Sequence, residues 1–234
     1  MRKLRKSRVF FLLIAVLAFV LLVNLTAIQE FLGINRANTQ EKVIALTYDD
    51  GPYPPYTDRI LEVLDRYQAK GTFFAIGKQI EKHPNLVRLM LQKGEEMANH
   101  SYSHQDMLFK SNRFLKEEIE KTDRLLRQQG VTQEIDFRPP WGRRFIGLLT
   151  LVAQKHKKLI MWDIDSQDYK DELSAEAIAN RVIDRARPGA IVVMHDGGGD
   201  RSRTAIATEI ILKNLQAKGY TFPTVSELLS QSAR

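Results

Sequence analysis

No cysteine occurs among the 234 residues. That excludes a disulfide framework, a Cys-ligated zinc or iron–sulfur site and thiol catalysis, so any metal must be held by histidines and carboxylates. Proline and glycine are modest, at 8 and 13 residues, while 44% of the chain is apolar. Collagen-like and disordered classes are therefore excluded. The phosphate-cradling pattern Gly-x-x-x-x-Gly-Lys is missing, and Gly197-Gly198-Gly199 follows a predicted strand without the dinucleotide fingerprint. No nucleotide is expected as a ligand.

The formal net charge is +7, from 35 basic and 28 acidic residues, but it is unevenly placed. Arg2, Lys3, Arg5, Lys6 and Arg8 stand together, with no acid before Glu30. Without those five, 30 basic residues face 28 acidic ones, a surplus of only +2. That near-neutral balance offers no basic stripe with interleaved aromatics, and no nucleic-acid partner is expected. Directly after the basic head comes an apolar run, Val9 to Val23, extended to Ile28. As one helix it would span about 30 Å, the hydrocarbon thickness of a bilayer.

Residues 1–28 thus read as a cytoplasmic basic stub and one transmembrane helix, oriented by the positive-inside rule with everything later outside the cell. A signal peptide has similar regions, and its cleavage would make the protein secreted. Asn24 or Leu25 at the −3 position suits cleavage poorly, which favours an uncleaved anchor. Residues 29–40 read as a linker and 41–234 as one domain, large enough for a full core.

Within that domain a short apolar strand, a polar loop and an amphipathic helix recur. Strands are predicted at 43–48, 72–76, 96–99, 135–138, 159–164, 190–194 and 220–222. Helices are predicted at 56–70, 80–92, 114–129, 145–157, 175–186, 204–218 and 225–229. Gly71, Gly94, Gly130, Gly189 and Gly219 fall at helix ends, where positive φ is wanted. The rhythm implies an α/β fold, either a (β/α) barrel, which seven units favour, or a doubly wound sheet.

In both folds functional groups gather at the carboxyl ends of strands. Five polar clusters fall there. They are Asp49-Asp50-Gly51-Pro52, His100-Ser101-Tyr102-Ser103-His104, Arg138-Pro139-Pro140-Trp141-Gly142, Asp165-Ser166-Gln167-Asp168-Tyr169 and His195-Asp196-Gly197-Gly198-Gly199. Singly, each has a plainer explanation: Asp-Asp-Gly-Pro is a turn signal, two histidines four apart share a helix face, and Arg-Pro-Pro is a stiff loop. Their joint arrival at one rim points to a site.

In this order the clusters resemble the five motifs of the polysaccharide deacetylase family, carbohydrate esterase family 4, also called the NodB-homology domain. The resemblance covers nearly all of residues 41–229. It implies a distorted (β/α) barrel of about seven strands and removal of acetyl groups from a polysaccharide with a divalent metal, usually zinc. It also implies roles. Asp50, His100 and His104 would be the metal ligands, a three-ligand set that leaves positions open. Asp49 would be the general base, and Arg138 would hold it ionised. His195 would be the general acid, oriented by Asp168. Trp141 would present a backbone N–H to the oxyanion, and Trp141 and Tyr169 would form aromatic walls for the sugar.

Two positions depart from the family pattern: Tyr169 stands where tryptophan is usual and Trp141 where tyrosine is. Tyr53, Pro54 and Tyr56 are candidates to line the cleft. Asp163 and Asp196 lie near the rim in supporting places, and His83 and His156 are expected on solvent-facing helices without a role. Adjacent residues of an extended segment point opposite ways, so the Asp49-Asp50 pair requires a bend, which Gly51-Pro52 is suited to supply. The expected function is deacetylation of cell-wall glycan, peptidoglycan or chitin-like N-acetylglucosamine units, by a membrane-tethered enzyme. The alternatives are a small-molecule amidase on this fold and a non-catalytic wall-glycan-binding protein.

Overall fold

A computed structural model of the chain describes residues 32–232. The proposed anchor at 1–28 lies outside the described residues; among those described, no helix is long and apolar enough to cross a membrane. Five parallel strands form the sheet: β1 (Ala45–Asp49), β2 (Gly71–Ala75), β3 (Glu96–Asn99), β4 (Ile164–Asp165) and β5 (Ile191–His195), in the order β3-β2-β1-β5-β4. Their period of two divides the side chains between two cores. Leu46, Tyr48, Phe73, Met97, Val192 and Met194 point outward beneath the helices. Ala45, Phe74, Ala98 and Ile191 point inward. With both faces buried, the strands read as continuous apolar runs.

The helices are α1 (Tyr56–Arg66), α2 (Gly77–Lys82), α3 (Pro84–Gln92), α4 (Asn112–Gln128), α5 (Ile146–Gln154), α6 (Ala175–Ile183), α7 (Ser202–Ala217) and α8 (Val225–Ser232). Most follow the predicted stripes. The Ser111 and Ser174 side chains cap α4 and α6 by accepting from the Phe114 and Ala177 N–H groups. The predicted helix at 80–92 is two helices, because Pro84 has no N–H for the preceding turn and instead starts α3.

Of the seven predicted strands, two shrink to single bridges and one is interrupted. Phe137 bridges Asn99 on one side and Leu159 on the other, closing the sheet into a distorted barrel. The Arg138 N–H still donates to the Asn99 carbonyl at 3.0 Å, but Pro139 and Pro140 come next and have no N–H to extend that ladder. The 159–164 strand pairs with Phe137 at its start and with β5 only at Ile164 and Asp165. Thr221 bridges Val43, and Pro223 follows. The predicted linker is shorter than expected: Ile34 bridges Ile160, Arg36 bridges Ala190, and Ala37 is buried. Arg36 thus joins the barrel at the residue before β5, five positions ahead of His195. Gly94, Gly130, Gly189 and Gly219 take positive φ as expected, but Gly71 does not. It opens β2, where a Cβ would press on Tyr48, Leu64 and Phe73, and Gln68 takes the left-handed turn instead.

The end of the barrel remote from the site is plugged by α8, whose Val225 and Leu228 join the inner core. Glu96, on the inner face, receives the start of that helix: its carboxylate accepts from the Ser226 N–H at 3.1 Å and from the Thr72 hydroxyl at 2.7 Å. Asp136 is also buried, at 3% exposure, and neither of its carboxylate oxygens has a hydrogen-bond partner. Burial pushes its pKa from 3.8 up to about 7, opposed by the nearby Lys158 charge and helped by Glu96. The folded protein therefore holds this proton up to about pH 7 while the unfolded chain releases it near 4, so stability falls as pH rises through that window. Asp136→Asn is expected to remove that slope and raise Tm at pH 8, by a free energy of at most about 4 kcal/mol. Melting curves at pH 5 and pH 8 check it; an unchanged difference between the two pH values would count against this account.

Candidate active site

Parallel register sets Asp49, the last residue of β1, beside His195, the last residue of β5. His100 follows β3, Arg138 follows the Phe137 bridge, and Asp165 ends β4. These ends surround a cleft of about 590 Å³ lined by Asp49, Asp50, His100, His104, Trp141, Tyr169 and His195, together with Trp162, Asp165 and Arg201.

Asp50, His100 and His104 converge. Their candidate ligand atoms lie within 4.8 Å of one another, with Asp50 Oδ1 3.6 Å from His100 Nε2 and 3.2 Å from His104 Nε2. His100 Nδ1 donates to the Arg138 carbonyl at 2.7 Å, which fixes the neutral tautomer and leaves Nε2 as the lone-pair donor. Burial, outweighing the attraction of Asp50, pushes the His100 pKa down to about 3. Asp50 Oδ1 is buried without a hydrogen-bond partner. A neutral imidazole and an orphaned carboxylate oxygen aimed at one point suit a divalent cation, so these residues fit a metal.

The local backbone differs from expectation in two ways. The bend that turns Asp50 beside Asp49 lies at Asp50 itself, with φ of 79°, one residue before Gly51. Gly51 serves close packing instead, because a Cβ there would stand 1.9 Å from Asp196 Oδ2. Nor do His100 and His104 share a helix face. They lie on a loop in which Ser101 (φ 66°) and His104 (φ 56°) are both left-handed. Glu118 of α4 braces that loop, its carboxylate accepting from the Tyr102 and Ser103 N–H groups at 3.0 and 2.8 Å. The Ser101 hydroxyl accepts from the His104 N–H at 3.1 Å.

Asp49 is held as expected. Arg138 donates to its Oδ1 at 2.7 Å and also to Thr47 Oγ1 (2.7 Å), the Ile160 carbonyl (3.1 Å) and the Met161 carbonyl (3.0 Å). The guanidinium is 0% exposed and lies 3.9 Å over the Phe74 ring. Burial lowers its pKa, opposed by the Asp49 carboxylate. Such a pair persists because each guanidinium nitrogen has an acceptor and four of its five N–H groups are engaged.

On the other side, His195 Nδ1 meets Asp168 Oδ1 at 2.7 Å, and Asp168 Oδ2 accepts from the His195 N–H and the Thr204 hydroxyl, each at 2.8 Å. Burial pushes the His195 imidazole down, but the Asp168 carboxylate outweighs it and the pKa stands at about 9. Trp141 (φ 53°) stands 4.5 Å from the His104 ring and Tyr169 5.7 Å edge-on to His195, so two aromatic walls flank the cleft.

Tyr53 and Tyr56 stack on each other 6.1 Å apart and do not line the cleft, nor does Pro54. Asp163 is engaged by Arg187, and buried Asp196 accepts from the Thr57 hydroxyl at 2.6 Å. His83 is half-buried at the start of α3 and His156 is exposed; neither lines the cleft. Arg201 was not legible as a site residue. Its Nε donates to the Gly197 carbonyl at 2.7 Å, pinning the glycine run so that Gly198 packs on Asp50, where a Cβ would stand 2.6 Å from Oδ2.

A family model described as Polysaccharide deacetylase matches residues 36–159. A peptidoglycan-N-acetylglucosamine deacetylase of Bacillus cereus is 37% identical over 191 residues, covering 81% of this chain and 89% of that one. The crystal structure of the Bc1960 peptidoglycan N-acetylglucosamine deacetylase, bound to a hydroxamate-type benzamide, superposes with a TM-score of 0.80 at 28% identity, covering 84% of this chain and 92% of that one. BA3943 of Bacillus anthracis, a CE4 family pseudoenzyme, superposes with a TM-score of 0.77 at 28% identity, covering 84% and 68%.

Proposed function

The chain belongs to the polysaccharide deacetylase family, and from that premise we propose that it is a metal-dependent hydrolase removing N-acetyl groups from N-acetylglucosamine units of cell-wall polysaccharide, peptidoglycan foremost. One observation carries the reading: a braced base, Asp49 on Arg138, and a braced acid, His195 on Asp168, face one cleft across the Asp50, His100 and His104 cluster.

Asp50, His100 and His104 would hold the ion, for which zinc suits the two imidazoles and one carboxylate. A divalent cation there supplies Lewis acidity to the acetyl carbonyl and lowers the pKa of the attacking water toward 7. Asp49 takes the proton of that water as the new C–O bond forms, and Arg138 keeps the carboxylate ionised and aimed. The Trp141 N–H is the donor proposed for the developing oxyanion. When the C–N bond breaks, His195 gives its proton to the departing amine, and Asp168 holds the imidazolium ready for it. The products are acetate and a free glucosamine unit.

The basic head and apolar run at 1–28 support a tether to the outer face of the membrane, which would put wall glycan first within reach. A non-catalytic wall-binding role is the second reading, suggested by the likeness to the BA3943 pseudoenzyme; the intact acid and base pairs favour the enzyme. The test is acetate release from N-acetylated glycans by the purified, zinc-loaded protein, with His100→Ala beside it. The wild type is expected to bind one zinc per chain, and the variant to lose at least 10-fold in affinity along with acetate release. Undiminished zinc in the variant, or no acetate from any glycan, would refute this function.

A further inference from the structure

Between Asp136 and Asp163 there is no other acidic residue, and six basic ones stand in that interval. Arg138 is buried in the catalytic centre, and Lys155, Lys157 and Lys158 pair with Glu120, Asp123 and Glu134, which leaves Arg143 and Arg144 outside the cleft, where Arg143 meets Asp106 on the loop that follows His104. On that loop Phe109 is 85% exposed and takes a left-handed φ of 54°. A bulky residue held in that conformation costs backbone energy, and an exposed ring recovers almost nothing by burial. Among the described residues its one ring contact is Phe145, 5.6 Å away, and the adjoining Ile146 is 67% exposed.

This patch is continuous with the cleft. The Arg143 guanidinium lies 5.8 Å over the Trp141 ring and pairs with Asp106 of the Phe109 loop. Arg144 is exposed and has no ion-pair partner among the described residues. Beyond Ile146 a groove of about 550 Å³ runs between α4 and α5, where Lys116 and Lys155 on its walls both pair with Glu120.

We propose that this face is a second binding subsite for the substrate strand, gripping sugars beyond the one being deacetylated. Phe109 and Phe145 offer flat apolar faces to sugar rings, and Arg144 meets a carboxylate carried on the strand. The occupant is therefore an anionic glycan bearing carboxylate substituents, and the face gives preference for it over a neutral one. An exposed aromatic patch next to unpaired cationic charge, opening from the cleft itself, is the complement of that chemistry. The subsite rests on the deacetylase reading for its place in the reaction, but its binding can be measured alone.

The experiment uses the full chain in detergent and the double variant Phe109→Ala with Arg144→Gln. Acetate release is followed on a neutral N-acetylglucosamine dimer, too short to reach the patch, on wall glycan with free peptide carboxylates, and on the same glycan after amidation. The variant is expected to match the wild type on the dimer within about twofold and to lose about tenfold in kcat/KM on the acidic polymer, chiefly through KM. The wild type's preference for acidic over amidated polymer should vanish with it. Equal loss on the dimer, or no loss on the polymer, would overturn the subsite. Co-sedimentation of the protein with acidic glycan separates the two readings: if no glycan is deacetylated yet binding falls with the double variant, the deacetylase reading has failed and the subsite stands. Binding to anionic phospholipid vesicles that depends on Phe109, with glycan binding unaffected by the variant, would overturn it in favour of a membrane contact.

Discussion

Asp49→Asn is expected to lower kcat for acetate release by about 10³-fold with little change in KM, since proton transfer is needed only in the transition state. The amide has nearly the shape of the carboxylate but cannot take a proton from water. Its oxygen can still accept from Arg138, which donates to Oδ1 at 2.7 Å in the wild type. What disappears is the counter-charge of a guanidinium that is 0% exposed. Breaking such a buried pair destabilises a fold by about 3–5 kcal/mol when the remaining charge is left alone. Here the Ile160 and Met161 carbonyls and the Phe74 ring still face Arg138, so the loss should fall at or below that range. Circular dichroism at the assay temperature separates a folded, inactive variant from an unfolded one. Zinc stoichiometry should not change, because Asp49 lies outside the converging ligand set. A variant that keeps more than about a tenth of wild-type kcat, a far smaller loss than base removal gives, would show that Asp49 is not the base. One that loses its zinc would show Asp49 to be a ligand.

The residues that make this site were legible because their chemistry is carried by side-chain type. A carboxylate pair, two histidines, an arginine before two prolines and a late histidine each break the apolar rhythm at a strand end, and the barrel delivers them to one cleft. What supports them was not legible. Thr47, which accepts from Arg138, reads as a strand former, and Thr204, which holds Asp168, reads as a residue of the first turn of α7. Glu118, which braces the His100–His104 loop from α4, looks like any helical glutamate. Arg201 was hidden among the charged and glycine-rich residues after His195. Such roles depend on which backbone groups happen to lie near, and local sequence pattern carries no record of that.

The same limit explains the misplaced bend and the shortened strands. A Gly-Pro pair is the usual signal for a turn, yet Asp50 carries the positive φ, because Gly51 is needed where Asp196 leaves no room for a Cβ. Propensity gave residues 135–138 a strand of full length, but bridging is confined to Phe137, and after the Arg138 N–H, which reaches the Asn99 carbonyl, the prolines remove the next donors. A period-2 apolar run records burial on two faces; it does not record how many ladder bonds its neighbours can return.

Asp168→Asn should move the alkaline limb of the kcat profile by more than two pH units, and it is the sharper test of the acid. His195 must carry its proton to serve the leaving amine. Burial alone would drive the imidazole below 6.5, and the Asp168 carboxylate is the largest influence raising it, to about 9. Asp49 and Asp50 add smaller contributions, which a bound dication would offset, whereas Asp168 lies on the far ring nitrogen and keeps its effect. Wild-type kcat is therefore expected to hold through neutral pH and fall toward pH 9. In Asp168→Asn the burial remains and the carboxylate is gone, so the limb should lie below 6.5. At pH 7.5 the loss should be about 10²-fold, with partial recovery as the pH is lowered toward 6.

Stability gives a readout that does not depend on turnover. A folded-state pKa above the unfolded value of 6.5 contributes stability that is complete below 6.5 and is lost as pH rises through about 9. Wild-type Tm should accordingly decline between pH 7 and pH 10 more steeply than that of Asp168→Asn. His195→Gln, which keeps a polar side chain but has nothing to titrate, should show neither the alkaline limb nor this decline. If Asp168→Asn instead retained an alkaline limb near 9, some other group would be the acid, and the contact between His195 and Asp168 would be a structural clamp between β5 and the start of α7.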